Sequence, residues 1–217
     1  MKKAFTMAEV LITIGIIGLV AAMTFPSLLF KYKKQEAEAR IKRFYTTMAQ
    51  AVKLSEIDNG PAFSWTKAAR MADGDGNIVA NPAGTKEFYN LYLAKYLKTL
   101  FIDETNGKLK LIFADGSTTT MSIGYCMDIQ FDYNGDKGAN TLGYDRFDFL
   151  LCTEEGYNAG LSRYKQIPFD AYFPANCKNN CSRTRLLEVC KSKAMYCSSL
   201  IMYDGWKISD DYPYKIK

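Results

Sequence analysis

The 217-residue sequence contains no histidine. Because histidine is the usual side-chain base near neutral pH and the commonest metal ligand, its absence excludes His-dependent triads and His-based metal sites. An enzyme with this sequence would depend on carboxylates, Lys, Tyr or Cys. The sequence shows no nucleophile paired with a base and no glycine-rich phosphate loop. We therefore predict that the protein is not an enzyme.

A strong charge bias is also missing beyond the N-terminal quarter of the chain. The formal net charge is +5, but residues 1–58 hold nine basic and five acidic residues, and the other 159 hold 19 and 18. A dedicated nucleic-acid surface concentrates basic residues on one face. The nearly neutral remainder therefore predicts no dedicated nucleic-acid surface.

Cysteine is absent from the first 125 residues. An even number of cysteines placed beyond an apolar segment indicates disulfides and an oxidising compartment. Zinc is the alternative, but the spacings match no common zinc finger. We expect one disulfide between neighbouring predicted strands, Cys126–Cys152, and a second between Cys190 and Cys197. The six cysteines are Cys126, Cys152, Cys177, Cys181, Cys190 and Cys197.

The longest uncharged run lies near the N-terminus, where 21 residues separate Glu9 from Lys31. As a helix this run spans about 31 Å, close to the hydrocarbon thickness of a bilayer. A cleaved secretory signal has a shorter apolar core and a small-residue cleavage site after it. Here the run leads directly into a charged helical pattern, so we predict a retained transmembrane helix over residues 5–30.

Two features of the sequence predict opposite orientations of this helix in the membrane. Lys31, Lys33 and Lys34 follow the span, and the positive-inside rule alone would place the large domain in the cytoplasm. The cysteines favour an oxidising compartment and hence the opposite orientation. We follow the cysteines and predict a head outside the cytoplasm.

Glu9 places a carboxylate at the edge of the predicted span. A charge within a span costs about 2.5–3.5 kcal/mol at the bilayer centre, and less at the headgroup level. Cleavage between Ala4 and Phe5 would create an α-amine four residues before Glu9. In a bundle of identical helices that amine can neutralise the carboxylate of a neighbouring copy.

The stretch "KKAFTMAEVLITIGIIGLVAAMTFPSLL" resembles the N-terminus of type IV prepilins and type II secretion pseudopilins, which carry a class III signal peptide. The short basic leader, Phe5 at the cleavage point, Glu9 at the fifth mature position and Pro26 within the helix match the family. The sequence departs from the family at Ala4, where the family nearly always has Gly.

The resemblance implies removal of a leader, residues 1–4, by a prepilin peptidase that also N-methylates Phe5. It implies polymerisation with other pilins on an inner-membrane assembly platform, from a lipid-inserted, single-pass precursor. The product would be a cell-surface or periplasmic filament of a type IV pilus-like system. The alternatives are a pseudopilin of a type II secretion system and a signal-anchored extracellular module that binds a sugar or a protein.

Beyond Pro26 the sequence predicts an α+β fold: a long N-terminal helix packed on an antiparallel β-sheet head, as in pilins. Apolar residues at helical spacing extend the helix through residues 31–58, and Asn59-Gly60-Pro61 ends it. The globular, disulfide-bonded head then comprises residues 59–217.

Within the head, the sequence predicts a short helix over residues 63–71, a turn over 73–77 and an amphipathic helix over 84–100. Shorter periodicity predicts a hairpin with strands near 108–113 and 117–131, turning at Asp115-Gly116, and a third strand over 146–152. Residues 184–197 are expected to be helical.

The segment 131–149 contains the best candidate metal site. Asp132, Asn134 and Asp136 alternate as in the first part of a calcium loop, and Asp145 would complete a site of a different kind from an EF-hand. Lys137 stands where an EF-hand requires Gly, and the final Glu is missing. The alternative is a surface turn at Asn134-Gly135 with solvated acids.

Overall fold

The structure, a computed structural model, describes residues 6–69, 71–72, 74–75, 78–79, 81–105, 108–175, 177 and 181–216. The α-helices in these residues are α1 (Met7–Asn59), α2 (Pro82–Tyr92), α3 (Glu154–Asn158), α4 (Arg183–Ser192) and α5 (Cys197–Tyr203). The strands are β1 (Met71–Ala72), β2 (Ile78–Val79), β3 (Phe101–Thr105), β4 (Lys108–Ile112), β5 (Thr118–Ile123), β6 (Met127–Asp132), β7 (Arg146–Leu151) and β8 (Phe169–Ala171). Short 3-10 helices lie at Ala62–Ser64, Ser162–Lys165 and Ala194–Tyr196.

Helix α1 is continuous over 53 residues, about 80 Å long at 1.5 Å per residue. Gly60, with φ of +75°, and Pro61 follow its last residue, as the sequence predicts. Its second half buries one stripe of residues spaced three or four apart, which is the pattern of a helix packed on one side. These buried residues are Ala37, Glu38, Ile41, Phe44, Met48, Ala51, Val52 and Ser55.

Strands β3 to β8 form a six-stranded antiparallel sheet in which every strand pairs with its neighbours in sequence. Strands β1 and β2 form a separate two-stranded sheet. A long helix followed by an antiparallel meander is an α+β arrangement, and this part of the prediction is confirmed.

The inner face of the sheet carries the aromatic core against α1. The ring of Phe44 stacks on Phe131 at 4.2 Å between centroids and meets Phe149 edge-on at 5.3 Å. Successive side chains of a strand point to opposite faces. The positions that alternate with these core residues form the outer face of the sheet. They are mostly polar and include Thr120 and Gln130.

Arg40 fixes α1 to two turns of the head. Its guanidinium donates hydrogen bonds to the backbone oxygens of Asp115 and Tyr133, at 3.0 and 2.9 Å. The two turns also touch each other, since a Cβ at Gly135 would lie 2.4 Å from the carbonyl oxygen of Gly116. Gly135 has φ of +70°, so both its conformation and its surroundings require glycine.

The chain after α5, residues 204–216, is called the C-terminal segment and lies along α1. Glu38 of α1 is only 6% exposed although it carries a carboxylate. Its carboxylate accepts hydrogen bonds from the Ile208 backbone N–H at 3.0 Å and from Lys207 Nζ at 2.8 Å. Burial of Glu38 is therefore explained by the partners that the C-terminal segment supplies.

Two further contacts hold the C-terminal segment. Trp206 packs on Tyr45 of α1, with ring centroids 4.6 Å apart. Arg183 of α4 pairs with Asp204 and Asp211, each through a nitrogen–oxygen distance of 2.7 Å. The segment thus contacts both α1 and α4.

Three disulfides are present in the described residues. Cys126–Cys152 joins the turn before β6 to the end of β7, and Cys190–Cys197 joins α4 to α5. Both agree with the expected pairings. The third disulfide is Cys177–Cys181.

The predicted helix over residues 63–71 is wrong. Only Ala62–Ser64 is helical, as one 3-10 turn, and Trp65 is already extended. The indole of Trp65 stacks on Tyr92 at 4.4 Å and donates to the Gly60 carbonyl oxygen at 2.8 Å. These tertiary contacts outweigh the helical preference of the segment that follows.

The second amphipathic helix is shorter than predicted and begins earlier. Helix α2 starts at Pro82 after an Asn81 N-cap, whose side chain accepts from the Gly84 N–H at 2.9 Å. It ends at Tyr92, and the chain then reaches the sheet at Leu100, whose N–H donates to the Ile112 carbonyl oxygen at 2.8 Å.

The strand predicted over residues 117–131 is two strands. The Gly124 N–H donates to the Cys126 carbonyl oxygen at 2.7 Å and closes a tight turn between β5 and β6.

Strands β3 and β8 were not predicted, and the helix over 184–197 is divided into α4, a 3-10 turn and the start of α5. Of the predicted turn over 73–77, Gly74 and Asp75 lie in a turn and the remainder lies outside the described residues.

Candidate functional site

The first half of α1 is not buried by the head. Every residue from 6 to 33 is exposed in the isolated chain. Within this part, an 18-residue window reaches a mean hydropathy of 2.1. By length and composition, α1 can cross a membrane, as a retained anchor or as a signal sequence. Exposed apolar surfaces of this size are typical of segments that contact lipid or other protein.

Glu9 lies in the first turn of α1 and makes a capping box. Its carboxylate accepts from the Thr6 backbone N–H at 2.9 Å, and the Glu9 N–H donates to Thr6 Oγ1 at 3.3 Å. This pairing satisfies backbone donors at the helix start. Ala4 and Phe5, the predicted processing residues, lie outside the described residues.

Pro26 lies inside α1, and the helix continues through it. Because proline has no N–H, the carbonyl oxygen of Ala22 has no partner in the helical ladder at this turn. The Thr24 hydroxyl donates to Val20 at 3.0 Å, and the Ser27 hydroxyl donates to Thr24 at 2.9 Å. The helix therefore carries local side-chain hydrogen bonds around its weakest turn.

Two of the predicted calcium ligands, Asp132 and Asp136, form ion pairs within the protein. Asp132 is 3% exposed and accepts from Arg146 Nε at 3.0 Å. Burial raises the pKa of Asp132 to about 6, and the nearby Arg146 opposes this shift. Asp136 points instead to Lys110, whose Nζ lies 2.6 Å from its carboxylate. Two of the four candidate ligands thus have cationic protein partners.

Asp145 is fully buried, and its side chain holds the loop between β6 and β7 through hydrogen bonds to the loop backbone. Its two carboxylate oxygens accept the backbone N–H groups of Asn140 at 2.8 Å and Thr141 at 2.6 Å. A Cβ at Gly138 would lie 2.8 Å from Asn134 Nδ2 and 3.0 Å from Asp145 Oδ2, so these two side chains are close. Among the described residues, no group of three or more His, Cys, Asp or Glu side chains is placed to hold a metal ion. Calcium binding therefore stays a prediction.

The structure reveals a polar cluster that sequence reasoning missed. Asp128 and Gln130 on β6 and Asp148 on β7 share the outer face, and Gln130 Nε2 donates to Asp148 at 3.1 Å. Although the Asp128 side chain is exposed and that of Asp148 half-buried, desolvation by the surrounding protein raises the pKa of each to about 6, and the nearby Lys108 opposes both shifts. Alternation of polar residues along β5, β6 and β7 was the available signal.

Comparison with known proteins gives a family for the chain. A family profile described as "Family of unknown function (DUF6613)" matches residues 27–216, which begin directly after Pro26 and include the second half of α1 and the head. Comparisons with curated proteins and with solved structures gave no match. Since the profile spans most of the sequence, the chain belongs to the DUF6613 family of unknown function.

Proposed function

We propose that the protein is a structural subunit of a type IV pilus-like filament. The single observation that carries this proposal is the division of α1 into two halves. Residues 6–33 are largely apolar and all exposed, whereas the second half buries one stripe of residues against the head. A helix divided in this way can insert in lipid as a precursor and later pack among copies of itself.

In this proposal the precursor is cleaved after Ala4, methylated at Phe5 and polymerised through residues 5–30. Helices that leave lipid for a packed apolar bundle lose little hydrophobic free energy. The head, held to α1 by Arg40 and by the C-terminal segment, then covers the outside of the bundle. Three disulfides support a head that matures outside the cytoplasm.

Glu9 has a specific role in the proposed assembly. In the isolated chain its carboxylate caps its own helix through Thr6. In the filament it would also accept the α-amine of Phe5 from a neighbouring subunit, which removes the cost of a charge among apolar side chains. Other pilins, the prepilin peptidase and an inner-membrane assembly platform are the partners that this role requires.

The experiment compares filament yield for wild type, Glu9→Ala and Glu188→Ala in cells that contain the assembly machinery. Glu188 is an exposed head carboxylate and serves as the matched control. We expect Glu9→Ala to remain in the membrane fraction with filament yield reduced at least about tenfold, and Glu188→Ala to assemble like wild type. Unchanged yield for Glu9→Ala would refute the pairing role.

Mass spectrometry of the mature N-terminus separates this function from a signal-anchored binding module. N-methyl-Phe5 as the first residue supports the filament subunit. An intact Met1 in the presence of the peptidase would overturn the filament proposal and favour the anchored module. A pseudopilin of a secretion system would share the same processing and differ in its assembly partners.

A further inference from the structure

The outer face of the six-stranded sheet carries a groove that filament assembly does not require. Two cavities, of about 220 and about 250 Å³, lie over this face, and each is lined by residues of β4, β5, β6 and β7. Both are lined by Lys108, Thr120 and Gln130, so they are parts of one groove. We call it the outer groove, and it crosses the four strands from β4 to β7.

The charges of the outer groove nearly cancel. Its cationic side chains are Lys108, Lys110 and Arg146, against the carboxylates of Asp128, Asp132, Asp136 and Asp148. Two of these carboxylates already have cationic partners, through the Asp132–Arg146 and Asp136–Lys110 pairs. A strongly charged polymer of either sign would meet repulsion along part of this surface, so the groove favours a neutral ligand.

Several polar groups of the groove are placed to accept hydrogen bonds from a ligand. Asp148 uses one oxygen to accept from Gln130. Within the described part of the chain, no hydrogen bond joins the Asp128 carboxylate to another side chain. Thr120 and Ser122 place hydroxyl groups on the same surface. A carboxylate that accepts from a ligand hydroxyl makes a short, charge-assisted hydrogen bond.

One wall of the groove is apolar and held in place. Tyr172 and Met195 line it. The Tyr172 backbone N–H donates to Ser198 Oγ at 3.2 Å, and its ring packs on Tyr196 with centroids 5.5 Å apart. An aromatic ring beside carboxylate, amide and hydroxyl groups offers both an apolar surface and hydrogen-bonding partners.

The spacing of the groove adds a further constraint. Neighbouring strands lie about 4.8 Å apart, so polar side chains repeat across the groove at that interval. Successive units of an oligosaccharide present hydroxyl groups at a similar repeat, together with apolar C–H faces. We propose that the outer groove binds a neutral oligosaccharide, with Asp128, Gln130 and Asp148 hydrogen-bonding to the hydroxyl groups of one sugar unit and Tyr172 contacting its apolar face.

This site belongs to the head alone and does not rest on polymerisation. It is therefore tested on unassembled full-length chain in a zwitterionic detergent, because detergents with sugar headgroups would compete. The probe is an array of neutral, amine-bearing and sulfated saccharides of one to six units. The variants are Asp128→Asn and Asp148→Asn, with Glu188→Gln on α4 as a control outside the groove.

We expect neutral oligosaccharides to bind, each Asn variant to lower their affinity about tenfold, and Glu188→Gln to bind like wild type. The unfolding midpoint of each variant is measured beside its affinity. Asp128 lies at an exposed position, so Asp128→Asn keeps the test valid if Asp148→Asn does not fold.

Three results would overturn the proposal. Absence of binding to every saccharide would make the outer groove an ordinary solvated sheet face. Binding of sulfated saccharides alone would indicate attraction to the lysines and Arg146. Binding of neutral saccharides with equal affinity by wild type and both Asn variants would place the sugar elsewhere on the protein.

Discussion

The carboxylate of Glu38, in the first buried turn of α1, accepts a hydrogen bond from the backbone N–H of Ile208, 170 positions later in the chain. The same carboxylate pairs with Lys207 at 2.8 Å. Glu38 therefore ties the C-terminal segment to α1, and the stability of the head depends on a residue that precedes it.

Glu38→Ala is expected to destabilise the protein by about 1–3 kcal/mol, since it leaves the buried Ile208 N–H without an acceptor. Glu38→Gln keeps an acceptor and should cost less. Lys207→Ala is the control, and we expect a loss of at most about 1 kcal/mol because the Lys207 side chain is 71% exposed. Urea unfolding followed by tryptophan fluorescence measures all three, and equal stability of Glu38→Ala and wild type would contradict the prediction.

Gly156→Ala is expected to destabilise the head by about 1–3 kcal/mol through overpacking. A Cβ at Gly156 would lie 2.4 Å from Cys126 Sγ and 3.1 Å from Cys152 Cβ, so the disulfide or α3 must move. Gly74→Ala is the matched control, since nothing lies within 4 Å of its added Cβ. Thermal unfolding of the oxidised proteins provides the comparison, and a Gly156→Ala midpoint at or above that of the control would argue against this packing.

The Cys126–Cys152 disulfide should stabilise the head more than Cys190–Cys197. The two bridges close sequence separations of 26 and 7 residues, for which loop entropy predicts about 3.5 and about 2.4 kcal/mol. Paired Cys→Ser substitutions at each bridge, compared by chemical denaturation, measure the difference. A larger loss from the shorter bridge would mean that local packing, and not loop closure, dominates.

Asp148→Asn should change the pH dependence of stability. Burial raises the pKa of Asp148 to about 6 in the native state, against about 3.9 in an unfolded chain. The native state therefore binds the Asp148 proton more tightly than the unfolded chain does. The protonated carboxyl stabilises the native state below about pH 4, and this stabilisation is lost as the pH rises through about 6. The free energy of unfolding of Asp148→Asn relative to wild type should rise between pH 4 and pH 7. A difference in the free energy of unfolding between Asp148→Asn and wild type that stays constant with pH would refute the raised pKa of Asp148.

Calcium is tested by thermal unfolding with and without added Ca²⁺ or a chelator. Asp132, Asp136 and Asp145 already have protein partners, whereas Ca²⁺ takes six to eight oxygen ligands. If the loop binds Ca²⁺ as the sequence predicts, the ion must displace these partners, and an unchanged unfolding midpoint would refute the predicted site. A saturable rise that Asp145→Asn abolishes would instead support the calcium site predicted from the sequence.

The long helix and the central hairpin could be predicted because their patterns are local. An apolar run, a stripe at helical spacing and a Gly-Pro stop define α1, and Asp115-Gly116 defines the hairpin turn. Strand β8 could not be predicted, since three residues carry too little periodicity. The turn at Gly124 was missed because apolar alternation continues through it, with Ile123 and Met127 paired across the turn.

The candidate sites were predictable to different degrees. The exposed apolar half of α1 follows directly from hydropathy. The calcium loop was judged from spacing along the chain, which does not reveal that Arg146 and Lys110 reach Asp132 and Asp136 from neighbouring strands. The outer groove depends on strand register, because Gln130 and Asp148 become neighbours only when β6 and β7 pair.

The unbroken course of α1 has a mechanical consequence. A pull on the head is transmitted along a single rod to residues 6–33, with no loop between them to absorb the load. The helical turn at Pro26 has one backbone hydrogen bond fewer than the turns beside it. Under tension, α1 should therefore stretch at this turn first. Extension would then begin in the apolar half, and the disulfide-bonded head would keep its shape.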